Sequence, residues 1–374
     1  MNTSTRTKHI VLAGAGHGHL YIAKHAEALT GSGIQVTLID PDRFWYSGLA
    51  TGMLGGQYPP EQDQVDARPL IENAGGTFLQ DTIEKIHRDK KTLSTVSGEE
   101  VHYDALSLNI GSTIDDQSIQ GSSQYGWHVK PIVNLWNLRQ KLEKQFTEQP
   151  GATKKLIVVG GGLTGCEIAA NLHRLAEKFS AQADIQLLTR GDSLLPDQPK
   201  GASKKLAALF DIWRIHIRFN TSIQKIRKNE VLSADGNSYT GDEIILATGL
   251  RANSLIADSG LSTTEDGSMV VQSTLQSIDD PSIFGAGDCI FIQETPLPKL
   301  GVFAVRESPI LLHNLQSFVE GKPLRNYDPQ KRYLSILNLG GGTALALWGK
   351  FYWFGKLSMI LKEYLDLSFL KKYQ

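Results

Sequence analysis

Apolar residues fall in short blocks along this chain, and the spacing inside each block changes at glycines. The block "HIVLA" (9–13) runs into "GAGHG" and then into "HLYIA", the order of a buried strand, a tight turn and a helix. The same order recurs in "KLIVVGGGLTGCEIAANL" (155–172). Each copy leads to a second apolar strand, "IQVTLID" (34–40) after the first and "DIQLLTR" (184–190) after the second. Two such βαβ units predict an α/β protein with two Rossmann-like dinucleotide-binding domains.

Short alternating segments with turn residues follow each unit. "TLSTVSGEEVHYDALSLNIGS" predicts a β-meander, and "NEVLSADGNSYTGDEIILATGL" is its counterpart in the second half. "SIFGAGDCIFI" adds a late buried strand with its own glycine turn. The predicted division is therefore one domain from residues 1–115 and 275–332, a second inserted as 116–274, and a tail over 333–374. In the tail, Leu357, Ile360, Leu361, Tyr364 and Leu367 recur at helical spacing among lysines, after the aromatic run "WGKFYWFGK". An amphipathic element of this kind suits a bilayer interface, packing on the first domain, or pairing with a second subunit.

Composition narrows the class. The chain has 374 residues, 41% hydrophobic and 21% charged, as in a globular protein with a large core. A formal net charge of −1 offers nucleic acid no bulk attraction. No apolar run is long enough to span a bilayer, and the opening "MNTSTRTK" carries no secretory apolar stretch. A cytoplasmic enzyme is expected, seated on the inner face of the membrane if the tail binds lipid. The two cysteines, Cys166 and Cys289, form neither a CxxC pair nor a zinc cluster, so no metal site is expected.

The glycine loops carry the chemistry. The first glycine allows the turn, the second lets backbone approach a pyrophosphate, and the third lets helix and strand pack closely. Gly160, Gly162 and Gly165 fill all three places in the second copy. In the first copy Gly14 and Gly16 are present, but His19 stands in the packing place. Both phosphate-facing glycines survive, so nucleotide binding need not be lost, with His17 and His19 beside the phosphates or in the packing. Asp40 ends the following strand, where an acid accepts a hydrogen bond from a ribose hydroxyl. In the second copy that place is Thr189, followed by Arg190. A guanidinium without an acid suits the 2′-phosphate of NADPH, although Arg190 equally suits a plain surface position.

These residues, with "WYSGLATGMLGGQY" (45–58), "YDALSLNIGS" (103–112), "VKPI" (129–132), "LATG" (246–249), "GAGDC" (285–289) and "PKLGVFAVRESPILLHNL" (298–315), give the chain a recognisable likeness. It resembles the FAD-dependent pyridine nucleotide oxidoreductases with two dinucleotide-binding domains. The resemblance is strongest to the type II NADH dehydrogenase branch, and nearest to the flavoprotein domain fused to some bacterial selenophosphate synthetases. The resemblance implies FAD on Gly14, Gly16, His17, His19 and Asp40, with Ser47, Ile83, Gly111, Gly287 and Asp288 completing its seat. Lys299 to Gly301 and the next helix start would face the flavin pyrimidine edge, where positive charge suits the reduced ring. NADH or NADPH, as substrate, would dock on Gly160, Gly162, Gly165, Arg190 and Gly249. Glu167 matches the family's glutamate near the stacked rings, and it, with Lys299, is the candidate for a catalytic role.

The expected reaction is hydride transfer from nicotinamide to flavin N5, then electron delivery to a quinone or similar small acceptor. The chain departs from relatives in two places. Thiol-dependent branches carry cysteine near the position of Ser47, and none occurs here before Cys166. Quinone-reducing relatives often carry glutamines where this chain has Val302 and Arg306, which leaves the acceptor open. A selenium- or sulfur-linked oxidoreductase and a flavin-binding sensor with little turnover are the alternatives.

Overall fold

The computed structural model describes residues 6–374, so Met1 to Thr5 of the polar opening stretch lie outside the described residues. Strands β1 (His9–Ala13), β2 (Gln35–Ile39), β3 (Thr77–Leu79) and β4 (Ala105–Leu108) are the first parallel set. Helix α1 (His17–Lys24) crosses between β1 and β2, and α2 (Ser47–Leu54) follows the end of β2. Ile10, Val11, Leu12, Leu38 and Leu106 are fully buried, because both faces of a parallel sheet are covered and no polar alternation is needed.

The chain then builds a second parallel sheet from β5 (Trp127–His128), β6 (Lys154–Val159), β7 (Ala183–Leu188), β8 (Ile215–Arg218) and β9 (Glu243–Leu246), in the order β5-β9-β6-β7-β8. Helices α3 (Val133–Glu148) and α4 (Leu163–Lys178) belong to this part. Strand β10 (Ile283–Gly285) returns to the first sheet and completes the order β10-β4-β1-β2-β3. Helix α5 (Gly301–Val319) packs on α1. The two meanders form as antiparallel sheets, Ile83–His87 with Thr92–Thr95 and Glu100–His102, and Ile223–Arg227 with Glu230–Ser233 and Ser238–Thr240. A short antiparallel pair, Ser112–Ile114 with Leu250–Ala252, ties the exit from the first sheet to the exit from the second.

The tail is a meander, β11 (Leu334–Asn338), β12 (Ala344–Trp348) and β13 (Phe351–Gly355), then helix α6 (Lys356–Leu370). Its burial runs opposite to the usual amphipathic pattern. Ser358, Lys362 and Asp366 are buried, while Leu357 is 79% and Tyr364 69% exposed, with Ile360 and Leu367 also outward. The stripe therefore does not pack on the first domain; the polar face does. That burial is tolerable because the polar groups are paired: Lys362 Nζ donates to Asp366 Oδ2 at 2.9 Å and to the Gly48 carbonyl at 2.8 Å. Tyr46 Oη donates to Asp366 Oδ1 at 2.9 Å.

Candidate active site

A cavity of about 420 Å³ opens at the carboxyl ends of β1 and β2. That is the crevice where open α/β sheets hold nucleotides, and the size suits a large ligand. Its wall includes Gly14, Gly16, His17, Asp40, Ser47, Ile83, Gly111, Gly287, Asp288 and Gly301, all of which the sequence nominated.

The first loop is tied down from several sides. Asp40 Oδ2 accepts the Ala15 N–H at 2.6 Å and Oδ1 the Asp42 N–H at 3.1 Å. Asn109, at the end of β4, accepts from Gly18 N at 2.8 Å and His19 N at 3.2 Å through Oδ1, and its Nδ2 donates to the Ala286 carbonyl at 2.6 Å. One side chain thus joins the first turn of α1 to the ends of β4 and β10. A side chain on Gly16 would fall 2.5 Å from Asn109 Oδ1, so this position admits no Cβ.

The two loops solve their packing differently. In the second, a Cβ on Gly165 would stand 1.9 Å from the Gly160 carbonyl, so helix and strand close directly on each other. In the first, the matching carbonyl, of Gly14, accepts a hydrogen bond from His19 Nδ1 at 2.6 Å. Ser107 Oγ lies 2.8 Å from His19 Nε2. Burial pushes the imidazole down to about 4, so the neutral tautomer donates from Nδ1 and accepts the serine hydroxyl at Nε2. His19 is absent from the cavity wall. Its nomination as a cofactor-binding residue is corrected to a packing role beneath the loop, as its complete burial requires.

His17 does reach the cavity. Phe44 meets its ring edge-on with centroids 4.9 Å apart, and Phe369 of α6 lies at 5.7 Å. This enclosure lowers its pKa to about 4, against a small opposing pull from Asp288, so it enters as a neutral donor or acceptor.

Asp288 Oδ2 accepts from Lys130 Nζ at 2.6 Å and from Ser112 Oγ at 2.9 Å. Burial alone would raise this carboxyl; the ammonium and the hydroxyl outweigh it and hold Asp288 below the usual carboxylate range. Below the turn, Glu307 Oε2 accepts the Gly287 N–H at 2.7 Å, and burial lifts Glu307 to about 7. Lys130, Asn109 and Glu307 were missed as site residues. "VKPI", "YDALSLNIGS" and "PKLGVFAVRESPILLHNL" contained all three, but nothing in the sequence pointed them at Asp288 or the first loop.

Lys299 lies in the wall of a smaller neighbouring cavity, with Gly287 and Glu307. Its ammonium donates to the Asp288 carbonyl at 2.6 Å, bonds Ser268 Oγ and pairs with Asp266 at 3.3 Å, so it braces the Asp288 turn from outside the main cavity wall.

In the second half, Gly162 faces open space, with no atom within 4 Å of a would-be Cβ, which leaves room for a nucleotide at the N-terminus of α4. Thr189 is buried at the end of β7, Arg190 is exposed, and Gly249 lies exposed after β9. Glu167 turns away from that loop: its Oε1 accepts the Asn338 N–H of β11 at 2.6 Å and lies 3.4 Å from Thr51 Oγ1 of α2. Burial raises it to about 7, with Lys362 pulling the other way. The thiols offer no redox pair. Cys166 and Cys289 are both buried and free, and burial lifts the Cys289 thiol to about 12.

Two Rossmann-like units, one with a cleft lined by its glycine loop and Asp40 and one with an open glycine loop, define a two-nucleotide oxidoreductase fold. The chain belongs to the pyridine nucleotide-disulphide oxidoreductase family, whose model matches residues 8–308. It is 26% identical to a type II NADH:quinone oxidoreductase of Haemophilus influenzae, over 94% of this chain and 92% of that protein. It is 22% identical to a demethylphylloquinone reductase of a Synechocystis species, over 87% and 84% of the two chains. Among solved structures, the NDH2 protein of Plasmodium falciparum bound to NADH superposes with a TM-score of 0.81 at 16% identity, covering 98% of this chain and 99% of that one. A sulfide:quinone oxidoreductase of Aquifex aeolicus reaches 0.82 at 19% identity, covering 98% and 91%; at these identities the likeness is one of fold.

Proposed function

We propose that this chain is an FAD-dependent NAD(P)H dehydrogenase that delivers electrons to a quinone. Residues 1–115 with 275–332 form its flavin-binding part, 116–274 its nicotinamide-binding part and 333–374 its membrane-facing tail. The observation that carries this reading is the 420 Å³ cleft beside the first glycine loop, lined by Asp40 and by the Lys130–Asp288 pair. Asp40 has lone pairs left for a ribose diol, and Asp288 for a ribityl hydroxyl. Lys130 offsets carboxylate charge where a pyrophosphate must also sit.

When bound, FAD supplies a ring that takes hydride from the nicotinamide and passes electrons on. The chain's part is to hold, orient and shield. Gly162 and the N-terminus of α4 receive the dinucleotide phosphates, and Thr189–Arg190, which carries no acid, favours NADPH. The N-terminus of α5 at Gly301 supports negative charge at the cleft. The outward face of α6, with exposed Phe351 and Trp348 nearby, supports contact with a lipid surface from which a quinone is drawn; no helix among the described residues is long and apolar enough to cross a membrane.

The test is spectroscopic. The purified protein should show a flavin spectrum that NADH or NADPH bleaches rapidly and a short-chain quinone restores. A colourless protein that cannot be reconstituted with FAD, or a flavin that neither nucleotide bleaches, would refute the reading.

A further inference from the structure

The rim of the second glycine loop holds a charge that the dehydrogenase reading does not yet use. Thr189, just past β7, stands where an acid would grip a free ribose diol. It is buried, and a Cβ on Gly161 would fall 2.5 Å from its Oγ1. That hydroxyl accepts the Gly191 N–H at 3.4 Å, so the end of β7 offers a ribose no carboxylate. Arg190 follows, and it is exposed.

The neighbouring strand brings a second guanidinium to the same edge. Parallel register sets Arg218, the last residue of β8, beside Leu188, the last of β7. The chain leaving β8 then clasps the turn that carries Arg190. The Arg218 carbonyl accepts the Thr189 N–H at 2.9 Å, the Asn220 N–H donates to the Gly191 carbonyl at 3.0 Å, and the Thr221 N–H to the Thr189 carbonyl at 2.8 Å. Three backbone bonds thus fix the two strand exits against each other, at the spacing of about 4.8 Å that neighbouring strands keep. Arg218 is exposed like Arg190, and among the described residues neither guanidinium has an ion pair or hydrogen bond. Asp192, the acid of this turn, accepts instead from Ser193 Oγ at 3.1 Å. Two adjacent cations without a protein counter-ion favour an anion between them, and a phosphate has oxygens enough for a fork from each side.

We propose that Arg190 and Arg218 together hold the 2′-phosphate of NADPH, and that Arg218 is a specificity-determining residue for this donor. The inference rests on the reading of the second loop as a nicotinamide-dinucleotide site and deepens it. With the pyrophosphate at Gly162 and the N-terminus of α4, the adenosine ribose reaches the carboxyl end of β7. Strand β8 lies beyond β7 in the sheet, so a group on the 2′-oxygen meets the paired exits of β7 and β8. A free 2′-hydroxyl carries no charge for either fork. Arg218 therefore separates NADPH from NADH rather than tightening both.

The experiment is calorimetric and uses the full, FAD-loaded chain with two fragments, adenosine 2′,5′-bisphosphate and 5′-AMP. Wild type should bind the bisphosphate about a hundredfold more tightly, on the scale of two hydrogen bonds to a charged group. Arg218→Ala should cut that preference about tenfold by weakening the bisphosphate, with AMP binding little changed. Arg218→Lys keeps the charge but loses the fork, and should recover part of the preference. A merely structural role would instead weaken both fragments alike. In stopped-flow bleaching of the flavin, the half-saturating NADPH concentration of Arg218→Ala should rise about tenfold while its limiting rate holds, the mark of lost uniform binding. Equal binding of the two fragments by wild type, or a preference that Arg218→Ala leaves at its wild-type value, would overturn the proposal. A wild type that binds neither fragment nor NADH would refute the nucleotide site itself, and the inference with it.

Discussion

At the scale of single residues, the site combines side chains that lock backbone, Asn109 and His19, with charged groups that line the cleft. Lys130 is one of the latter: it is the ammonium that balances Asp288 in the cleft wall. Lys130→Met should weaken FAD binding by about tenfold or more, the scale of one lost hydrogen bond to a charged group, read by titrating apoprotein with FAD. His19→Ala should leave the Gly14 carbonyl without its imidazole donor and deprive Ser107 of its partner, costing about 2 kcal/mol in urea unfolding. FAD affinity in the folded fraction should fall far less than in the Lys130 variant. Gly14, Gly16, Asp40 and Asp288 were legible because their roles follow from strand–turn–helix order within a few residues. Asn109, Lys130 and Glu307 were not: each bonds a partner at least 20 residues away in sequence, which only the fold brings near.

At the scale of elements, α6 is the clearest lesson. Its apolar stripe was visible as a period, but the period does not say which face looks inward. Here the paired polar groups Lys362 and Asp366 dock against the first domain, and the stripe is left outward. Charged substitutions on that face, Leu357→Glu with Ile360→Glu, should abolish flotation with anionic liposomes while the melting temperature stays within a few degrees. Unchanged flotation would remove the membrane role. Lys362→Met should act oppositely, destabilising the protein by roughly 3 kcal/mol because Asp366 would remain buried without its cation.

At the scale of the whole molecule, the enclosed titratable groups set a pH profile. Asp63 and the two glutamates, Glu167 and Glu307, bind protons more tightly folded than unfolded, with carboxyls lifted to about 9 and about 7. Stability from these groups is present below their unfolded values, 3.8 and 4.5, and is lost as pH rises toward 7 and then 9. His17 and His19, held down near 4, act at the other end: their contribution is present above 6.5 and lost as pH falls through 4. The melting temperature should therefore peak on the mildly acidic side and decline into the alkaline range. Asp63→Asn should flatten the alkaline decline, and scanning calorimetry across pH checks both slopes.

The sequence by itself determined the class: two glycine-looped βαβ units, the acid after the first, its absence after the second, and no cysteine placed for thiol chemistry. These are local features, since turn geometry and strand burial are written into neighbouring residues. Tertiary structure alone decided which of two histidines faces the cleft, that Lys299 braces a turn, that Lys130 neutralises Asp288, and that α6 presents its apolar side outward. Each of those outcomes depends on burial and on charges brought together from distant segments, and a linear pattern carries neither.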